Sequence, residues 1–333
     1  MRRVFTTTAI AAGFLLAALC LGSFVPQSGS ASAATATPCT FTTSGTTMTL
    51  DGDCTTDSTI SIPDGFTLDG AGHMITAIDP TAGHFVGAVV QNGGTTAHVK
   101  NLTVTASGLA NVCDGGTARL RGIMFEGASG SITKSDVIGI NQGASGCQEG
   151  NAIEVRNEPF DGTHPNTQTV EIAHNNIQAY QKTGIVSNGD VSVNIHHNTI
   201  GGSATQANLA ANSVQLGFGA TGSVTQNHID GNSWCCADAA ATAVLLFDSQ
   251  NAVVDNNNIG GNADVGIYIE GSGSKVNNNR VFESGADGFY DIGVGDYGTG
   301  SSVTNNKVRG YEIPYDGVTG GKNKIIPGSQ KFQ

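Results

Sequence analysis

One short pattern organises the chain: an apolar residue, two free positions, an asparagine, one free position, and then Ile or Val. It reads "IAHNNI" from Ile172, "IHHNTI" from Ile195, "VTQNHI" from Val224, "VDNNNI" from Val254, "VNNNRV" from Val276 and "VTNNKV" from Val303. Successive units start 23, 29, 30, 22 and 27 residues apart. Earlier units, "ITKSDV" from Ile132 and "VKNLTV" from Val99, carry Ser135 and Leu102 in the asparagine slot. Before most units stands a second apolar pair: "GIMF" at Gly122, "AIEV" at Ala152, "GIVS" at Gly184, "SVQL" at Ser213, "AVLL" at Ala243, "GIYI" at Gly266 and "GFYD" at Gly288.

A unit recurring at this spacing marks a solenoid. Its segments alternate over only a few residues between Gly, Asn and Ser, and no run has helical periodicity long enough to cross over. Three short strands per repeat predict a parallel β-helix of about ten coils, each strand stacked on the next coil at about 4.8 Å. An asparagine at the same bend of every coil can bond its amide to the next along the axis. Asn175, Asn198, Asn227, Asn257, Asn279 and Asn306 are therefore expected to form a structural ladder.

The amino terminus changes the compartment. Arg2 and Arg3, an apolar run from Ala9 to Val25 and the small residues Ala31-Ser32-Ala33 read as a secretory signal peptide over residues 1–36. The mature chain, 37–333, is then expected to be secreted, with no membrane association after signal removal. Without Arg2 and Arg3, 13 of the 15 basic side chains face 27 acidic ones, a formal balance of −14. Such a surface disfavours nucleic acid, which needs a basic footprint. It also opposes a strongly anionic polymer unless a cation such as Ca2+ bridges the two. Six cysteines follow the leader: Cys39, Cys54, Cys113, Cys147, Cys235 and Cys236. In an exported chain they read as disulfides. Cys39 with Cys54 staples the start; the other four fit Cys113–Cys147 plus a vicinal Cys235–Cys236 bond, or two bridges crossing between those loops.

The repeats, with "FTLDGAG" at Phe66 to Gly72 as an entry coil, resemble the right-handed parallel β-helix proteins of the pectate-lyase-like superfamily over roughly Ile60 to Val318. The resemblance implies one all-β domain, with residues 39–62 capping one end and 319–333 the other. It implies nothing specific about activity, because the fold hosts lyases, hydrolases, epimerases and non-catalytic surface proteins. It also implies that the asparagine bend lies between the second and third strands. The "GIYI" segments are then the first strand, and the long loops before them form one wall of a groove, where disulfides would brace it.

Alternation on the first strand gives two outward positions per coil. One runs Met124, Glu154, Val186, Gln215, Leu245, Tyr268, Tyr290; the other runs Glu126, Arg156, Asn188, Gly217, Phe247, Glu270. Glu126, Glu154 and Arg156 form the candidate catalytic group. Diagonal neighbours in a sheet lie roughly 7–8 Å apart, within the roughly 6.5–9.5 Å that an inverting glycosidase sets between its carboxyls. A lyase would instead use Arg156 as base, with acidic residues holding Ca2+; an ordinary surface ion pair is the plain alternative. Gln215, Phe247, Tyr268, Glu270 and Tyr290 are the candidate substrate contacts, the apolar members serving equally as an oligomer contact. Glu270, Glu283, Asp287, Asp291 and Asp296 add acidic groups at that end. His174 and His197 share a slot in successive coils with His196 adjoining; the resemblance, which includes a copper-associated family, makes metal binding an option for these imidazoles, but they lie at the asparagine bend away from the groove, the ladder accounts for them, and no metal site is assigned. Polygalacturonase-type "GHG" and "RIK" segments, a paired Asp-Asp, and an epimerase-type "DPH" segment are missing. The expectation is a secreted protein that cleaves a neutral or weakly acidic polysaccharide by hydrolysis or β-elimination, with no obligatory cofactor and Ca2+ as an option. A non-catalytic, glycan-binding β-helix is the alternative.

Overall fold

Repeating apolar positions become continuous stacks. The computed structural model describes residues 37–160, 167–203, 205–284 and 290–328, all within the unit Ala36–Gln333. The expected leader at 1–36, Asp287, Gly288 and Phe289, and the end of the expected terminal cap, 329–333, lie outside these residues. Strands of 2 to 9 residues assemble into three sheets of 10, 11 and 11 strands. Each coil contributes one strand to each sheet, the order expected of a right-handed parallel β-helix.

Register shows why so short a strand suffices. On the second sheet Val99, Ile132, Ile172, Ile195, Val224, Val254, Val276 and Val303 pair coil by coil. On the third, Val137, Ile177, Ile200, Ile229, Ile259, Val281 and Val308 do the same. On the first, Val90, Ile123, Ile153, Ile185, Val214, Val244, Ile267 and Val294 complete the core. All are buried, and burying one such side chain contributes about 1.5–3 kcal/mol. The glycine opening several first strands has a steric cause: at Gly184 a Cβ would stand 2.6 Å from the Ser213 carbonyl oxygen and 2.9 Å from Ile200 Cγ2.

The asparagine ladder is continuous. The backbone N–H and side-chain amide of Asn175 both donate to Asn198 Oδ1, at 2.9 and 3.0 Å. The same pair of bonds joins Asn198 to Asn227, Asn227 to Asn257, Asn257 to Asn279 and Asn279 to Asn306. Asn323, which the repeat pattern does not reach, accepts from Asn306 and extends the ladder. At the other end the Ser135 N–H donates to Asn175 Oδ1. The left-handed backbone belongs to the residue before each rung: Lys134, His174, His197, Gln226, Asn256, Asn278 and Asn305 have φ between 51° and 59°.

Caps are slight. The antiparallel pair Phe41–Ser44 and Thr47–Leu50 closes one end, pinned by Cys39–Cys54. At the other end Lys324–Ile325 still pairs with the strand Lys307–Arg309, so regular coil reaches into the segment expected to be a cap. The last first-sheet position also differs from expectation. Tyr268 pairs with Gly295 of the strand Ile292–Asp296, not with Tyr290. Val294 carries the aliphatic stack there, and the "IGVGD" strand has too few large side chains to reveal its alternation.

Candidate functional site

The loops before the first strands of two coils are built into a braced wall. Cys113–Cys147 bonds one loop to the other. The buried Glu149 carboxylate accepts the backbone N–H groups of Asp114 and Leu120 at 2.7 and 2.8 Å. Arg121 donates to the carbonyls of Gly116 at 3.0 Å, Thr117 at 3.3 Å and Arg119 at 2.8 Å, and its Nε pairs with Glu154. Three independent ties therefore hold one turn, which lowers the entropy left for a ligand to freeze. Cys235 and Cys236 bond to each other in a separate loop, where Asp264 accepts the N–H groups of Trp234 and Ala241. The pairing left open by sequence is thus one inter-loop bridge and one vicinal bond.

Glu126, Glu154 and Arg156 come together as register requires: Glu126 pairs with Arg156 and Met124 with Glu154. The result is a buried charge network, not an open carboxylate pair. The Arg156 side chain is 2 % exposed. Its Nε bonds Glu126. Its Nη1 donates to Glu158 Oε1 at 2.7 Å and lies 3.7 Å from Glu154 Oε1. Glu154 sits between two guanidiniums, those of Arg121 and Arg156, and accepts the Asn151 amide at 2.9 Å. Arg156 Nη2 and Arg119 Nε are buried with no hydrogen-bond partner. Among the described residues neither atom finds an acceptor, and a buried donor left unpaired costs about 1–3 kcal/mol.

A cleft of about 360 Å³ opens at this point, lined by Arg119, Arg121, Gln148, Asn151, Glu154, Arg156, Glu158, Phe160, Lys182, Asn188, Gln215 and Phe218, among others. Four cationic side chains here face two acidic ones, reversing the sign of the whole chain. Lys182 donates to the Ala210 carbonyl at 2.5 Å, and desolvation pushes its ammonium down from 10.5 to about 8. Sequence reasoning passed over Lys182 and Arg121 because only outward strand positions were considered. The usable signal was their place just ahead of the "GIM" and "GIV" segments, Arg121 opening its strand and Lys182 preceding the next, where a loop wall meets the sheet.

The other candidates distribute unevenly. Glu154, Arg156 and Gln215 line the cleft; Glu126, Phe247, Tyr268, Glu270 and Tyr290 do not. At its margin Phe160 stacks on Phe218 at 5.4 Å, and Phe218 meets Phe247 edge-on at 5.4 Å. Further along, Tyr268 packs against Tyr297 at 5.1 Å, and Tyr297 donates to Asp316 Oδ2 at 2.9 Å. Burial first, then the neighbouring Glu270 and Tyr290, raises the Tyr268 phenol above its ordinary value. Tyr297 takes the position on this face expected of Tyr290, whose hydroxyl donates instead to the Ala237 carbonyl at 2.9 Å. Among the described residues, groups of three or more metal-type ligands within 4.8 Å are His174, His196 and His197, and Cys113, Cys147 and Glu149. Glu270, Glu283, Asp291 and Asp296 form no such group, and the second group holds the disulfide.

A coiled array of three parallel sheets, carrying a loop-walled cleft on one of them, defines a right-handed β-helix protein. Residues 121–326 match the family described as right handed beta helix region, and the chain belongs to that family. Among solved structures it is similar to the Dettilon tailspike protein (gp208), with 13% identity and a TM-score of 0.51 over 84% of this chain and 55% of that one. The chain thus spans about half the length of the tailspike it matches. A weaker likeness is to a mutant of the periplasmic alginate epimerase AlgG, with 10% identity and a TM-score of 0.36 over 84% of this chain and 85% of that one. No curated protein matches the chain. Among the described residues no helix is long and apolar enough to cross a membrane.

Proposed function

We propose that this protein is exported and acts on an acidic polysaccharide, a polyuronate, which it cleaves by β-elimination in the first-sheet cleft. The observation that carries this reading is the buried Arg156 guanidinium with an unpartnered N–H in a cleft that also holds the desolvated amine of Lys182. A uronate carboxylate would be drawn to the guanidiniums that line the cleft, Arg119, Arg121 and Arg156, whose charge-assisted bonds favour a planar anion. Neutralising that carboxylate acidifies the hydrogen on the adjacent ring carbon. Lys182, with a pKa close to the working pH, would take that proton as general base. The electron pair left behind forms the ring double bond, the neighbouring glycosidic C–O bond breaks, and the leaving oxygen gains a proton from water.

Hydrolysis by Glu126 and Glu154 is less well supported, because both carboxylates are ion-paired with Arg156 rather than free to flank a sugar and a water. The cleft's local charge also shifts the substrate from neutral or weakly acidic towards anionic. Ca2+ remains part of the proposal as a bridge between substrate and the acidic surface, not as a resident of a formed site. The tyrosine and phenylalanine pairs along the same face support a second reading, a glycan-binding protein that stacks sugars without cleaving them.

The test is incubation of mature protein with polyuronates and neutral glycans, with Ca2+ or with a chelator, followed by reducing ends and by the ultraviolet absorbance of unsaturated uronates. Both signals together, lost in Lys182→Met, are expected. Reducing ends without absorbance would make the protein a hydrolase, and retention of glycan without either signal would make it a binder.

A further inference from the structure

The turn between the second and third sheets carries a cluster that the first-sheet cleft does not use. The residue before each ladder asparagine adopts a left-handed backbone, and in two successive coils it is histidine, His174 with φ 59° and His197 with φ 54°. Because the ladder fixes the coils against each other, the two imidazoles stack at 5.0 Å with 21° between their planes. His196, the last residue of the strand Val191–His196, turns its ring edge-on to both, at 6.0 Å from His174 and 5.2 Å from His197. One ligand nitrogen from each ring lies within 4.8 Å of the others. Glu171 Oε1 stands 3.1 Å from His196 Nε2, and His196 Nδ1 stands 2.9 Å from His197 Nδ1.

We infer that His174, His196 and His197 bind a divalent transition-metal ion of the Zn2+, Cu2+ or Ni2+ type, with Glu171 orienting His196 from behind. The turn itself does not demand imidazole: other coils fill the same slot with Lys134, Gln226, Asn256, Asn278 and Asn305. Two nitrogens facing each other at hydrogen-bond distance need a proton between them, or a shared cation in its place. Metal–nitrogen bonds of about 2.0–2.1 Å would require the rings to rotate inwards from nitrogens that lie within 4.8 Å of one another, on backbones the ladder already holds. The Glu171–His196 contact is the carboxylate–histidine arrangement that fixes which nitrogen faces a metal: with Nε2 tied to the carboxylate, Nδ1 is the ligand. Three imidazole nitrogens select borderline-soft ions over Ca2+. Bound there, the ion crosslinks two coils on a different edge of the solenoid from the cleft.

Untagged mature protein would be titrated calorimetrically with CuCl2, ZnCl2 and CaCl2, and its Cu2+ form read by electron paramagnetic resonance. A single saturable Cu2+ or Zn2+ ion, nitrogen splitting from several ligands and no Ca2+ binding are expected. The variant His174→Asn with His197→Asn keeps a residue that neighbouring coils use at this turn, so its metal-free melting temperature should match wild type while its affinity falls. Glu171→Gln should weaken binding by about 10-fold or more. The inference is overturned if wild type shows no saturable binding, if the double Asn variant binds equally well, or if the Cu2+ spectrum shows oxygen ligands alone. None of these readouts depends on polysaccharide cleavage.

Discussion

At the scale of single residues, Lys182 and the ladder asparagines respond to burial in opposite ways. Each asparagine is a closed set of bonds: Asn227 accepts twice from Asn198 and donates to Ile195 and Asn257. Asn227→Ala strands buried donors and acceptors at about 1–3 kcal/mol each. Chemical denaturation should show a loss of about 3 kcal/mol. Asn227→Ser should lose less, because Ser135 fills this slot and still accepts the Leu102 N–H at 3.3 Å. Lys182, by contrast, is a charge held where water is scarce. If it is the base, the rate must rise as the ammonium deprotonates, so kcat should climb through about pH 8 and level off above it. Lys182→Met should abolish turnover while leaving glycan retention in an affinity gel near wild type, since Arg156 and Arg119 are untouched. A variant with full activity and the same pH profile would remove Lys182 from the mechanism.

At the scale of elements, the loops rather than the strands shape the cleft. The wall before the strand Arg121–Glu126 depends on Cys113–Cys147, Glu149 and Arg121. Closing a chain segment of 34 residues is worth about 2–4 kcal/mol when the crosslink restrains the unfolded chain. Cys113→Ser with Cys147→Ser should therefore raise amide hydrogen exchange over residues 107–120 and lower kcat/KM, with the ladder's exchange unchanged. Little of this wall could be read in sequence. Six cysteines and four long loops signalled bracing, but Glu149 accepts from N–H groups about 30 residues away and Arg121 ties three carbonyls of the irregular turn before it to Glu154 of the next coil, contacts that no periodicity announces. The Tyr290 assignment failed for a related reason: a large aromatic in a loop outweighed the true strand, whose inner position is the smaller Val294 between glycines.

At the scale of the whole molecule, stability in a solenoid is a sum over neighbouring coils, and its pH dependence can be assigned to few groups. Below about pH 8 folded and unfolded chains both carry the Lys182 ammonium, and folding bears the full cost of desolvating it. Between about 8 and 10.5 the unfolded chain binds more protons, so stability rises with pH. A lowering of this size corresponds to up to roughly 3 kcal/mol. The phenols act in the opposite sense: Tyr180, pushed up from 10.0 to about 12 by burial, keeps its proton when the unfolded chain has lost it, and stability falls above about pH 10. Melting temperatures of wild type and Lys182→Met, measured from pH 7 to pH 10, should converge as pH rises, the variant being the more stable at neutral pH. Parallel curves would show that the Lys182 amine is not desolvated.

The sequence alone determined the β-helix, its three strands per coil and the asparagine ladder, because each coil repeats the same contacts with its neighbours and a local period is enough to encode them. It also placed Glu126 and Arg156 side by side, since register in a stacked sheet follows from the same period. Only the tertiary structure decided that Arg156 is enclosed by carboxylates, that Lys182 lines the cleft, and that Asn323 extends the ladder. Those outcomes depend on loops of unequal length meeting across coils, and on how much water their meeting excludes, which no one-dimensional pattern records.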